Sequence, residues 1–408
     1  MTTQFYFLHV RKCAGTTMRH ILENAFPAAQ MMAAYHQIYY EHELAGFEPA
    51  RQHSYRYYEG HFGWRLPTIV PARHWTILTL LREPVDRMIS LFSYMQQFGQ
   101  LPAGMSLEAW LDEQVCAKDL ATSYFVPDSR GLTEKGCEVA RATINNLRER
   151  AFANLGRCAG VGVAEAMEES VNLFASLTDA LPPRNTGRYN VTMNRPRRDD
   201  ISHALRAKME HLLESDRALY ERARAMHRAA SLRLVDECSR AAGKNLDTDG
   251  VREYLRESSR MRHAASMALC PPPAMVAWSP DDIFRGENLQ SREEHGGERL
   301  RWTGPSEMTR FELYLGPDRD WVLTLRLHRA TPPGHVQAAR LSVNGVPLTL
   351  ERATDEGGFL ITSGLERSVA ALSGDGVATL ELHSPVVRGQ GEFRMLGVAM
   401  KAVALQAT

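Results

Sequence analysis

FYFLHVRKCAGTTMRHIL (5–22) decides how the first half of this chain is read. FYFLHV (5–10) is a short apolar run with aromatic and β-branched residues, the pattern of a buried strand. RKCAGTT (11–17) follows, and a helical pattern begins at Met18. A strand, a tight loop of small and hydroxyl residues and a helix N-terminus form an anion-binding device. The loop N–H groups and the positive end of the helix dipole point at one spot. Arg11 and Lys12 add charge there, and Thr16 and Thr17 add hydroxyl donors. A phosphate or a sulfate belongs in such a loop. The nucleotide-binding pattern GxxxxGK[ST] is not met, because Lys12 precedes Gly15 and no GK[ST] occurs.

A second strand, WTILTLL (75–81), is followed by REPVDRMISLFSYM (82–95). Pro84 stands where a helix can begin, at a position that needs no N–H. Arg82 lies at the C-terminal edge of its strand, where open α/β sheets bind ligands. Between the two units lies GHFGW (60–64), whose His61 is a candidate base. His9, inside an apolar strand, reads as a core histidine.

These motifs resemble those of sulfotransferases. HVRKCAGTT (9–17) is similar to the "HIxKTGGTT" loop of the family that includes the heparan sulfate 2-O- and 6-O-sulfotransferases and bacterial relatives. It departs from that loop at Cys13 and Ala14, where the family often has Thr and Gly; Ala14 suits the loop if its φ is negative. REPVDRMISLF (82–92) resembles the family's 3′-phosphate motif, R-[DE]-P-V-x-R-x-x-S-x-[YF]. RCAGVGVAEAMEESVNLF (157–174), NVTMNRP (190–196) and EHLLESDRALYERA (210–223) extend the resemblance to about residue 230. KDLATSYFVP (118–127) lacks an Arg that relatives commonly show near Ser123.

The resemblance implies 3′-phosphoadenosine 5′-phosphosulfate as cofactor, no metal, and sulfuryl transfer to an acceptor hydroxyl or amine. The cofactor-binding residues it implies are Arg11, Lys12, Cys13, Ala14, Gly15, Thr16, Thr17, Arg82, Ser90 and Arg195. Arg82 and Ser90 would hold the 3′-phosphate, and Arg87 would fix the helix or reach the same charge. The catalytic pair would be His61, taking the acceptor proton, and Lys12, donating to the bridging oxygen of the leaving phosphate. Lys12 stands out by composition too. The chain has 48 Lys and Arg, of which only residues 12, 118, 135, 208, 244 and 401 are Lys. A compact ammonium suits a bridging oxygen better than a guanidinium fork.

At 408 residues the chain is long enough for two or three domains, and its formal net charge of zero gives no sign of a nucleic-acid partner. Locally, RNTGRYNVTMNRPRRDD (184–200) gathers Arg184, Arg188, Arg195, Arg197 and Arg198, either as a solvated loop or as a basic lid over an anion. Cysteines 13, 116, 137, 158, 238 and 270 have no paired spacing and read as free thiols. The helix N-terminus and Lys12 could lower the pKa of Cys13. With no signal peptide and no transmembrane-length apolar run, a cytoplasmic bacterial enzyme is expected.

The organisation expected is an α/β domain over 1–265, a P-loop-like three-layer sandwich with a parallel sheet, then a linker over 266–298 and an all-β sandwich over 299–408. Strands are expected at 5–10, 75–81 and 158–163, and helices around 18–25, 85–98, 106–116, 138–152 and through 201–263. VNGV (343–346) predicts a hairpin among the later strands. RWTGP (301–305) and FRMLGVAM (393–400) resemble small β-domains of bacterial cell-surface glycan enzymes, which makes a surface glycan the first-choice acceptor. Trp302, Trp321 and Phe359 could stack on sugars or fill a core. A protein tyrosine or a small-molecule alcohol stays open as acceptor, and so do a P-loop kinase and a non-catalytic glycan-binding protein.

Overall fold

The computed structural model describes residues 3–32, 34–35, 54–70, 74–113, 120–126, 141–186, 195–269, 274–315, 319–388 and 394–408. The chain divides into two compact units. Unit 1 comprises Met1–Arg19, Ile38–Leu177 and Val191–Thr248; unit 2 comprises His20–Gln37, Thr178–Asn190 and Asp249–Thr408.

In unit 1 strands and helices alternate: β1 (Gln4–Leu8), α1 (Gly15–Leu22), β2 (Tyr57–Gly60), α2 (Leu66–Ile69), β3 (Trp75–Leu81), α3 (Pro84–Gln97), α4 (Leu107–Glu113), α5 (Leu120–Tyr124), α6 (Arg141–Leu155), β4 (Gly160–Val163) and α7 (Met167–Thr178). Then come α8 (His203–Leu212) and α9 (Glu214–Ala242). The four strands form one parallel sheet in the order β2-β1-β3-β4. Their residues are apolar on both faces, as a parallel sheet covered by helices requires: Phe5 to Leu8 and Ile77 to Leu81 are all buried. β2 is the strand that sequence reading passed over. Its YYEG carries a charge and a glycine, and only its pairing with β1 makes it a strand.

The helical stretch over 201–263 breaks into three. Leu213 separates α8 from α9, and Gly243, in the left-handed region at φ +66°, ends α9 before α10 (Thr248–Ala268) begins. One side of α3 is apolar at Val85, Met88, Ile89 and Phe92 and is buried against Trp110, Leu111, Met209 and Leu213. That leaves Asp86, Ser90 and Tyr94, spaced four apart, on a neighbouring stripe of the helix.

Unit 2 is antiparallel and all-β apart from α10, short helices and two borrowed segments. One sheet runs β13 (Glu351–Asp355), β14 (Gly358–Leu365), β10 (Trp321–His328), β18 (Ala399–Ala407), β8 (Glu298–Thr303), β7 (Leu289–His295), with β5 (Met275–Trp278) also on β18. The other runs β12 (Val346–Pro347), β11 (Arg340–Val343), β15 (Val377–His383), β9 (Met308–Tyr314), β6 (Gly286–Glu287), while β16 (Val387–Arg388) and β17 (Met395–Leu396) form a two-stranded sheet. Leu323, Leu325 and Val403 of the first sheet share one core with Phe311, Leu341 and Leu380 of the second. The predicted hairpin is present: Val343 pairs with Val346 across Asn344 and Gly345, whose φ values of +50° and +80° suit a two-residue loop. Trp321 is 1% exposed and sits in this core, so its ring is not presented to a sugar; Trp302 is also buried.

Two sequence expectations need correction here. Residues 266–298 are not a linker: α10 runs to Ala268, and β5, β6 and β7 are strands of the sheets. The sequence hid β7 because SREEH reads as a charged loop; Glu294 and His295 are exposed at a sheet edge, while Arg292 is buried. The boundaries also differ, because residues 20–37 and 178–190 group with the C-terminal unit rather than the N-terminal one. Two buried arginines of unit 2 hold the first of these segments. Arg292 donates to the carbonyls of Glu23 and Phe26 at 3.2 and 2.9 Å. Arg301 donates to Asn24 Oδ1 at 2.8 Å and pairs with the Glu23 carboxylate at 3.3 Å.

Candidate functional site

The C-terminal ends of the four parallel strands each deliver a candidate group. Residues 11–17 follow β1, His61 follows β2, Arg82 follows β3 and Glu165 follows β4. Ligands of open α/β sheets bind along this edge.

The loop after β1 has alternating backbone handedness. Lys12 and Ala14 have φ of +64° and +59°, whereas Arg11 and Cys13 between and before them do not lie in the positive region. Successive residues of alternating hand turn their N–H groups into one concavity, an anion-binding nest. Ala14 therefore does not have the negative φ on which its suitability for the loop was conditional. A non-glycine residue in this region costs about 1–2 kcal/mol, so this loop stores strain at two positions. Directly after it α1 starts at Gly15, with no acidic residue in its first turn. Its positive end is thus not neutralised by its own sequence. Gly15 itself is dictated by a close approach: a Cβ there would lie 2.1 Å from the His9 ring.

His9 is buried, and burial, with His61 and Arg19 nearby, holds its pKa well below the ordinary value. It stacks on Phe7 and is neutral at pH 7, in keeping with a core histidine. Its main-chain oxygen does a second task. His61 Nδ1 lies 2.7 Å from it. A carbonyl can only accept, so Nδ1 carries a proton, and in the neutral ring Nε2 carries the lone pair. The turn that presents His61 is fixed from two sides. Tyr6 donates its hydroxyl to the Gly63 carbonyl at 2.9 Å, and a Cβ at Gly63 would meet the Tyr124 carbonyl at 2.6 Å.

Lys12 sits among like charges. Burial, together with Arg82, Arg195 and Arg11, pushes its pKa from the usual 10.5 down to about 8. Its Nζ lies over the Tyr94 ring, 3.8 Å from the centroid. Arg195 donates to the Asp86 carbonyl and carboxylate at 3.0 and 2.9 Å; burial and Arg82 push its pKa down. Lys12, Arg82, Arg195 and Arg11 thus lie near enough to act on one another, and Ser90 is buried on α3 one turn before Tyr94. Thr17 is buried and Thr16 half-buried in the first turn of α1.

Three other residues behave differently. The Cys13 thiol is fully buried and turned to the Arg11 carbonyl at 3.7 Å, and burial raises its pKa to about 12. The lowered pKa expected from its neighbours is overturned, since desolvation outweighs them. Arg87 is fully buried and pairs with Asp216 at 3.1 Å, whose carboxylate also accepts from the Ala121 and Thr122 N–H groups. It locks α3, α5 and α9 together. Of the basic stretch, Arg188 lies outside the described residues, Arg184 belongs to unit 2, and Arg198 is paired with Glu210 and Glu83. Tyr94, Asp86 and Glu165 were missed in the sequence. The signal for the first two is their spacing of four on either side of Ser90. Nothing local marks Glu165, which accepts from the Glu83 N–H at 3.0 Å and from Tyr220 at 2.7 Å.

Among the described residues no group of three or more His, Cys, Asp or Glu side chains could hold a metal ion, and no described helix is long and apolar enough to cross a membrane. No family model and no curated protein matches the chain. Among solved structures, it is similar to a sulfotransferase from Alicyclobacillus acidocaldarius, at 14% identity and TM-score 0.28, over 53% of this chain and 96% of that one. It is also similar to a family 35 carbohydrate-binding module from Clostridium thermocellum, at 12% identity and TM-score 0.21, over 33% of this chain and 98% of that one. A third likeness is to a family GH115 4-O-methyl-α-glucuronidase, at 12% identity and TM-score 0.22, over 81% of this chain and 51% of that one. Likeness at this level says nothing of activity.

Proposed function

We propose that unit 1 is a sulfotransferase that uses 3′-phosphoadenosine 5′-phosphosulfate, with a P-loop-like anion site at residues 11–17. The observation that carries this reading is the acid-free start of α1 beneath a loop of alternating hand, ringed by Lys12, Arg82 and Arg195. A concentration of positive charge around a largely buried lysine is suited to a ligand with more than one anionic group. When bound, the nucleotide supplies an activated sulfuryl group. The residues present fit it: the loop N–H groups, Thr16 and Thr17 would hold the 5′ end, and Arg82 and Ser90 the 3′-phosphate. Lys12 would offer its ammonium to the oxygen on which charge develops. His61 would accept the acceptor's proton at Nε2, its ring held by the His9 carbonyl. The acceptor is carried only as far as a hydroxyl-bearing molecule. The aromatic rings next to His61 in the sequence, Tyr57, Tyr58 and Trp64, are buried and present no face to a glycan.

Calorimetric titration with adenosine 3′,5′-bisphosphate, with AMP and ATP as controls, tests the reading. Tight binding of the bisphosphate with much weaker AMP is the expected result. Indifference to the 3′-phosphate, or a magnesium-dependent preference for ATP, would sink it. His61→Ala is expected to lower turnover by about 10²–10⁴-fold and leave bisphosphate affinity within about twofold. Normal turnover in this variant would remove His61 as the base.

A further inference from the structure

We propose that Tyr94 is a positioning residue of the anion site, its ring face holding the Lys12 ammonium at the loop against the repulsion of three neighbouring guanidiniums. Only the identity of the anion rests on the sulfuryl-transfer reading; the positioning role does not.

A lysine on a flexible four-carbon stem, facing Arg82, Arg195 and Arg11, is driven outward to solvent. Something must oppose that drift if the ammonium is to stay over the loop. The Tyr94 ring does so, with Nζ 3.8 Å from its centroid. The ring is itself supported one turn further along α3 by Phe98, centroid to centroid 4.3 Å.

The chemistry of the choice is informative. At the other end of the 86–90–94 stripe, Arg195 is held by the carboxylate of Asp86. A carboxylate under Lys12 would neutralise the very charge an incoming anion needs. A ring quadrupole attracts the ammonium and adds no net charge, so Lys12 is held and still available. The stripe 86–90–94 thus anchors one cation at each end, with the Ser90 hydroxyl between them.

Three proteins test this: wild type, Tyr94→Phe, which keeps the ring, and Tyr94→Leu, which removes it. Thermal melting shows that each variant is folded. The first readout needs no nucleotide: the rate at which acetic anhydride labels Lys12 at neutral pH, followed by mass spectrometry of its peptide. Without the ring the charged form loses support, so Tyr94→Leu is expected to label severalfold faster and Tyr94→Phe at the wild-type rate. The second readout is calorimetry with adenosine 3′,5′-bisphosphate, where Tyr94→Leu is expected to bind about three- to tenfold more weakly and Tyr94→Phe within about twofold of wild type. A wild-type labelling rate in Tyr94→Leu, or a bisphosphate affinity equal to or above wild type, overturns the proposal. If wild type itself does not bind the bisphosphate, the sulfuryl-transfer reading falls, and the labelling rates still decide the role of Tyr94.

Discussion

α1 and α3 both begin where a strand of the parallel sheet ends, yet their first turns are dressed in opposite ways. α1 has no acid there and follows a loop whose backbone is twisted into the left-handed region twice. α3 is capped by Glu83, whose carboxylate accepts from the Asp86 N–H at 2.7 Å, and it carries Asp86 in its first turn. The Glu83 N–H is itself taken by Glu165. The dipole of α3 is therefore satisfied internally, and what its start offers a ligand is a side chain, Arg82, with Arg195 tethered to Asp86. Two similar strand-to-helix junctions thus carry their positive charge in different ways: α1 in main chain and dipole, α3 in side chains.

The sharpest way to test this contrast is on the α3 side. Arg82→Ala should weaken adenosine 3′,5′-bisphosphate by the worth of a charge-assisted bond, about 1.5–3 kcal/mol, with AMP affinity almost unmoved; calorimetry reads both. An equal loss for AMP would mean that Arg82 serves the same end of the ligand as α1. On the α1 side, Gly15→Ala forces a Cβ against the His9 ring and should cost about 1–3 kcal/mol of stability, read as a lower denaturation midpoint. An unchanged midpoint would show that His9 can swing aside.

A pH series probes the loop more gently. Lys12 is depressed to about 8 in the free protein by burial and by Arg82 and Arg195. A bound anion favours its charged form, so the bound pKa lies higher. Above the phosphate's own ionisation at about pH 6, affinity should be flat up to about pH 8 and fall beyond it, by at most about tenfold per pH unit, until the bound pKa is reached. A profile that stays flat to pH 9.5 would show that Lys12 does not meet the anion. The smallest effect is expected for Glu83→Ala, which removes a helix cap and should cost about 1 kcal/mol of stability without weakening the bisphosphate. Weaker binding there would break the division of labour between the two junctions.

Much of the first unit was legible because its signals are local. An apolar run, a loop of small residues and a helix start lie within eighteen letters, and REPV at 82–85 marks the second junction at once. Backbone hand and burial were not legible. Nothing in the letters says that Ala14 takes a positive φ, a demand that the loop makes on whichever residue stands there. Nor do they say that the Cys13 thiol is buried, so that desolvation overrides the nearby charges. Tyr94 escaped notice because its partner Lys12 is 82 residues away in sequence and on another element. The same holds at larger scale for residues 20–37, whose attachment depends on Arg292 and Arg301, more than 250 residues downstream.

That last attachment bears on how such a chain can change over generations. α1 runs from Gly15 to Leu22, but the unit boundary falls inside it, after Arg19. A gene that lost its 3′ portion would keep the anion loop and strand away the arginines that hold the residues just beyond the helix. Glu23 and Asn24 would then have a carboxylate, an amide and carbonyls that need new partners. Recombination at a domain border has no clean cut to use here. The two units are bound to be inherited, and to be engineered, as one piece.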